Sequence, residues 1–262
     1  MTPLPVILYH SVDDDPPAWI APFTVSPKTF ADQLDAIVRS GRAPVSAGDV
    51  VTALRGGEPL PQRAVAVTFD DGFLDFERNA LPALTERELP ATLFVTTGAL
   101  APFNRSVLPN AAMMSLEQVV RLPRARLTIG AHTHFHQQLD TLESGAVTRE
   151  LTRPKLILED ALGAEVDLFA YPHGFCDARV AALTREAGYR GAFAVRNAFS
   201  CESDDPFRVA RLTVRADTTA TRFQSWLDGI GAPTARPREN PRTVVWRLYR
   251  RRRAALRSLT GA

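Results

Sequence analysis

Apolar and polar positions follow a repeating order along this chain. Short β-branched or aromatic runs alternate with longer stretches in which apolar residues recur every three or four positions. Pro5 to Tyr9 predicts a first strand, ending at His10 and Ser11. Ser26 as N-cap and Pro27 as first helical residue open a helix whose apolar face is Phe30, Leu34, Ile37 and Val38, stopped by Gly41. Val50, Val51 and Leu54 predict a short second helix. Ala64 to Phe69 then places Val65, Val67 and Phe69 on alternate positions. It reads as a buried strand that stops at Asp70-Asp71-Gly72.

The order continues with strands at Thr92–Thr96, Leu127–Ala131, Asp167–Tyr171, Gly191–Val195 and Phe207–Val214. Helical spacing fills Phe73–Glu88, a stretch from Ser115, Glu143–Leu162 (interrupted near Pro154), Asp177–Tyr189 and Thr219–Leu227. Asp13–Pro22 and Gly98–Ala112 read as loops. Six or seven strand–helix units imply parallel strands joined by helical crossovers, and this many point to an α/β barrel rather than an open sheet. The domain is expected to span residues 1–232. Residues 233–262 form a Pro/Arg-rich linker and a basic helical tail.

The composition is that of a globular protein: 262 residues, 45% hydrophobic and 23% charged. No apolar run reaches the ~18 residues of a membrane span. The N-terminus lacks the basic start and long apolar run of a secretory signal, so a cytoplasmic location is expected. Two cysteines, Cys176 and Cys201, make neither a disulfide framework nor a zinc cluster. The net charge of +2 hides an asymmetry: nine arginines from Arg236 to Arg257 face one acid, Glu239. The acidic body gives no electrostatic reason to bind nucleic acid. The tail, with Val245, Trp246, Tyr249, Leu256 and Leu259 among its arginines, reads as a basic helix on an anionic membrane. The competing reading is a solvated or disordered charge run.

Chemistry gathers at the strand ends. All five histidines fall there: His10, then His132, His134 and His136, then His173. In parallel α/β folds those ends share the functional rim. Burying a lone carboxylate beside apolar residues is costly, about 2–7 kcal/mol even for an uncharged polar group, unless a metal or donors compensate. His132 and His136 with Asp71 make a two-histidine, one-carboxylate metal set that leaves positions open for water and substrate. His134 reads as an outer-shell or substrate residue.

TFDDG (Thr68 to Gly72), His132-Thr133-His134-Phe135-His136 and Ala170-Tyr171-Pro172-His173-Gly174 resemble the motifs of the polysaccharide deacetylases, which carry the NodB homology domain and form carbohydrate esterase family four. ILYHSV and FAYPHG are similar to the poly-N-acetylglucosamine deacetylase subgroup. The resemblance covers about Pro5 to Leu227. It implies a deformed (β/α)7-type barrel and a divalent metal, Zn2+ first and Co2+, Ni2+ or Mn2+ as substitutes, on Asp71, His132 and His136. It implies Asp70 as general base and Thr133 as support for the ligand loop. The backbone N–H near His173, after Pro172, would hold the oxyanion, with Tyr171 and Pro172 beside the substrate. The activity implied is removal of N-acetyl groups from an amino sugar of a polysaccharide, oligosaccharide or lipid-linked glycan.

The sequence departs from the family in two places. No histidine follows His173, so the late family histidine is missing. The usual arginine of the third motif is replaced near Ala170, and Arg211 is the candidate to steady Asp70. The proton donor is then His10, His134, His173 or Asp70 itself. Trp19 could stack on a sugar or anchor its loop. Two rival readings remain: hydrolysis of a small non-sugar amide, as in allantoinase-like relatives, or a catalytically impaired sugar-binding module.

Overall fold

The computed structural model describes residues 3–235 and 241–260, with side chains from 243 to 254 in the last segment. Arg236 and Arg238 lie outside the described residues, as do the side chains of Arg242, Leu256, Arg257 and Leu259. The chain runs β1 (Val6–Tyr9), β2 (Ser11–Val12), β3 (Thr24–Val25), α1 (Pro27–Arg39), β4 (Ala43–Val45), α2 (Ala47–Leu54) and β5 (Ala64–Phe69). A π-turn at Phe76–Ala80 leads into α3 (Leu81–Glu86), β6 (Ala91–Val95), α4 (Leu116–Arg121), β7 (Leu127–Ala131) and α5 (Ser144–Leu162). Then follow β8 (Leu168–Ala170), α6 (Ala178–Glu186), β9 (Gly191–Phe193), β10 (Leu212–Thr213), α7 (Ala220–Leu227) and α8 (Pro241–Thr260).

Seven parallel strands lie in the order β10-β1-β5-β6-β7-β8-β9, and β4 pairs the first half of β5. A parallel bridge from Phe193 to Val209 links β9 to the segment that continues into β10. The sheet thus curls round on itself, as the barrel expectation requires. Phe207–Val214 is not the single strand that its sequence predicts. It pairs with β9 at Val209 and with β1 at Leu212 and Thr213, so its ladder is split between two neighbours.

Alternation along the strands sorts the core into two layers. Val65, Val67 and Phe69 of β5 join Ile7, Tyr9, Leu93 and Val95 under the helices. Ala64 and Ala66 instead join Val6, Phe94, Leu168, Ala170, Phe193 and Val209 inside the barrel. Small residues make room there: a Cβ on Gly130 would stand 2.4 Å from the ring of Phe94.

The predicted Ser26 cap is present: Ser26 accepts from the Thr29 N–H with Pro27 in the first turn. Ser46 and Asp49, which the sequence reading did not single out, close a capping box on α2. Pro154 does not interrupt α5, which is one helix with the proline inside. Its buried stripe of Val147, Leu151, Pro154 and Leu158 packs on the sheet and outweighs the ~3 kcal/mol penalty of an interior proline. No described helix is long and apolar enough to cross a membrane.

Candidate active site

Asp70 and Asp71 leave the end of β5 and both line one cleft of about 480 Å³, with His10, Trp19, His132, His136 and His173. Strict alternation would send the two carboxylates to opposite faces. Asp71 escapes it by a left-handed backbone, φ 75°. Thr133 (φ 64°), His136 (φ 60°) and His173 (φ 57°) share that region. Each such non-glycine residue costs on the order of 1–3 kcal/mol, held by the surrounding structure, and such strain concentrates at functional sites.

One ligand atom from each of Asp71, His132 and His136 lies within 4.8 Å of the others, and all three residues are buried. Asp71 Oδ1 stands 3.2 Å from His136 Nε2 and 3.5 Å from His132 Nε2. Neither approach has hydrogen-bond geometry, and Oδ1 is buried with no donor. His132 Nδ1 lies 2.7 Å from the Ala170 carbonyl. That bond makes Nδ1 the protonated nitrogen and leaves the Nε2 lone pair facing Asp71. Burial pushes the His132 pKa down to about 4, so the ring is neutral near pH 7. An orphaned carboxylate oxygen between two imidazole nitrogens is a donor set that fits a divalent cation. Burial works to raise Asp71, but the facing His136 and His132 hold its carboxyl well below the usual range.

Asp70 is held differently. Arg211, fully buried, donates from Nη1 to Oδ1 at 2.7 Å and from Nη2 to Oδ2 at 2.8 Å. Its guanidinium also rests 5.6 Å from the Phe94 ring centroid, inside the barrel. Burial pushes Asp70 up, yet Arg211 and then His132 bring its pKa below the ordinary value. Asp70 is therefore ionised at neutral pH and retains lone pairs to accept a proton.

The ligand loop is braced from behind. Thr133 Oγ1 accepts from the His136 N–H at 2.9 Å. Glu150 of α5 accepts from the N–H groups of His134 and Phe135 at 3.1 and 2.9 Å. Sequence reasoning missed Glu150, because on a helix it looks like any surface acid. His134 itself does not line the cleft, so of its two readings, outer-shell or substrate residue, the second finds no support in the geometry. The left-handed turns at Thr133 and His136 rotate it outward, where Nδ1 meets Thr97 Oγ1 at 2.8 Å and the ring packs on Phe103 and Phe135. Tyr171 and Pro172 are also buried away from the cleft; the Tyr171 hydroxyl donates to the Phe207 carbonyl at 2.9 Å. Their place is to support the turn that carries His173. Gly174 completes that turn, since a Cβ there would lie 2.1 Å from the Val195 nitrogen.

His10 lines the opposite side, its ring 5.3 Å from that of Phe23 and its Nδ1 buried without a partner. Burial lowers its pKa. Trp19 both lines the cleft and ties the 98–112 loop, its Nε1 donating to the Asn110 carbonyl at 3.1 Å.

Residues 57–192 match the family described as polysaccharide deacetylase, over half of the chain. The match takes in both aspartates, the ligand histidines and His173, and leaves out His10, Trp19 and Arg211. The poly-beta-1,6-N-acetyl-D-glucosamine N-deacetylase of Escherichia coli K12 is 30% identical over 135 residues, 48% of this chain and 20% of that protein. The chain thus spans about a fifth of that relative's length. Among solved structures, IcaB from Ammonifex degensii superposes with a TM-score of 0.73 at 25% identity, covering 88% of this chain and 98% of that one. Streptococcus pyogenes deacetylase PplD superposes at 0.74 and 23% identity, covering 87% and 99%, and adds support for the fold alone. The curled parallel barrel, the buried Asp/His/His group at its rim and the match across most of its strands lead to one assignment: this chain belongs to the polysaccharide deacetylase family, metal-dependent hydrolases of non-peptide carbon–nitrogen bonds.

Proposed function

We propose that this protein removes acetyl groups from N-acetylglucosamine units of a β-1,6-linked or similar glycan. The observation that carries the reading is the divided aspartate pair: Asp71 faces two imidazoles, and Asp70 faces Arg211. The name of the Escherichia coli relative supplies the sugar. A domain over residues 1–232 with an appended tail is part of the same proposal.

Asp71, His132 and His136 would hold the metal, with Zn2+ the first choice for this nitrogen and oxygen donor set. A divalent ion there supplies Lewis acidity, lowering the pKa of a water from about 16 toward about 7 and polarising the amide carbonyl. Asp70 takes the proton from the attacking water, and Arg211 keeps the carboxylate ionised and aimed. The His173 main-chain N–H sits on the cleft turn and donates to the oxyanion; losing one such donor typically costs about 2.7–4 kcal/mol. His10 passes on to the leaving amine the proton that Asp70 took from the water. It is supported in that role by its unpartnered Nδ1 and by its place on the cleft wall. Trp19 stacks on the sugar.

The complete donor set and the ionised Asp70 disfavour the impaired sugar-binding module. A cleft about 480 Å³ in volume and open to a second groove disfavours a site closed around a small amide. On the outer side of α8, Val245 and Leu248 are exposed beside Arg252, and we assign this face to peripheral contact with an anionic membrane, at its inner surface. Vesicle flotation with and without anionic lipid tests that part. The enzymatic reading is tested by acetate release from β-1,6-linked N-acetylglucosamine oligomers across Zn2+, Co2+, Ni2+ and Mn2+. Release with at least one metal is expected, and none with any metal would refute it.

A further inference from the structure

The Asp/His cleft is continued by a second cavity of about 480 Å³, and Val107, His136 and His173 line both. The far wall of this second cavity is α8, which contributes Trp246, Tyr249, Arg250 and Arg253. The Trp246 and Tyr249 rings are stacked, 5.3 Å apart and 23° from parallel, and are 51% and 49% exposed. Half-exposed aromatic faces beside guanidinium donors in a concave site suit a ligand that is apolar on one face and hydroxylated at its edge.

The helix is clamped in place by three of the arginines that make the tail basic. Arg250 forms a bidentate, buried pair with Asp140 at 2.7 and 2.6 Å, and its guanidinium lies 3.6 Å from the Phe175 ring centroid. Arg251 pairs with Asp177 and donates to the Asp140 carbonyl at 2.7 Å. Arg247 reaches both acids, at 4.0 and 3.8 Å. Asp140 stands four residues after His136, and Asp177 four residues after His173. The clamp therefore grips the two loops that carry cleft histidines, which fixes the aromatic pair relative to the site.

We propose that α8 is a wall of the substrate groove and binds the sugar rings that flank the acetylated unit along a glycan chain. Trp246 and Tyr249 supply the stacking platform, and Arg250 with Asp140 holds it in register. The inference rests on the glycan deacetylase reading above. It explains why a basic segment is appended to an acidic body: three arginines are anchors, and the helix they anchor lengthens the cleft.

The test uses the full chain loaded with metal, with N-acetylglucosamine dimers and hexamers as substrates. Hexamer binding is measured separately by calorimetry on the Asp70→Asn protein. Trp246→Ala is expected to lower the hexamer-to-dimer ratio of kcat/KM about tenfold, and to weaken hexamer binding by about the same factor. Arg250→Ala, which releases the helix, should lower the ratio likewise. Val38→Ala, an exposed apolar change on α1 outside the groove, should leave it unaltered. An unchanged ratio and unchanged hexamer affinity in Trp246→Ala would overturn this inference alone, as would loss of vesicle binding with hexamer affinity intact. Failure of the parent chain both to release acetate and to bind any oligomer would overturn it together with the functional reading.

Discussion

Replacing Arg211 by Met leaves the Asp70 carboxylate buried with no guanidinium opposite it. The pair is bidentate at 2.7 and 2.8 Å, with Arg211 at 0% and Asp70 at 2% exposure. Removing one partner of such a pair costs about 3–5 kcal/mol, because the remaining charge is stranded. In a chain of this size each kcal/mol moves Tm by about 2–4 °C, so the fall should be about 6–20 °C. The pH dependence carries a sign that a generic packing defect would not. In the parent, Asp70 titrates below its ordinary value, so it contributes stability above the unfolded carboxylate pKa and loses it as pH falls. In Arg211→Met the guanidinium no longer opposes burial, and the Asp70 pKa rises. The stability deficit should then be largest at neutral pH and shrink toward acid, while the acid limb of acetate release moves to higher pH. Thermal melts from pH 4 to 8 and a pH–rate profile read both effects, with Arg211→Lys as an intermediate that keeps a charge. An Arg211→Met protein with parental Tm and an unmoved acid limb would refute the reasoning.

Other outcomes follow from the same geometry. Asp71→Ala and His132→Ala should each lower metal affinity by at least about a hundredfold in equilibrium dialysis, since each removes one of the proposed ligands. His10→Gln should keep metal content and lower kcat by about 10²–10⁴-fold, the usual reach of proton transfer; an unaltered kcat would remove His10 from the mechanism. His132 and His134 are both driven down to about 4 by burial, below the ordinary value near 6.5. The unfolded chain binds their protons first, so the metal-free protein should lose stability as pH falls from about 6.5 toward 4 in urea titrations. Arg250→Ala should speed tryptic cleavage within α8, because the helix loses its buried pair with Asp140.

The parts of this protein that were legible in its sequence are those encoded locally. β5 is a six-residue alternation ended by a carboxylate pair, and three histidines cluster within five positions, so both the strand and a candidate metal-holding group could be read. Arg211 was legible only through the family, because its partner lies 141 residues away and nothing local marks a buried arginine. β4 was missed because Pro44 argues against a strand; the proline is tolerated at an exposed position on a three-residue strand. β2 and β3 are two residues each and have no period to detect. The two readings of His134 stayed open in the sequence because a left-handed turn at Thr133 cannot be seen in a threonine. The tail was legible only as a basic helix: nothing local shows that Asp140 and Asp177 lie beneath three of its arginines.

The central claim is that Asp70 and Asp71 divide the work between proton and metal. It is tested most directly by Asp70→Asn, assayed for bound metal and for acetate release from N-acetylglucosamine oligomers in the same sample. The account predicts parental metal content and a loss of release by two orders of magnitude or more, roughly the contribution of a general base. Parental release from that variant, or loss of its metal, would contradict the account.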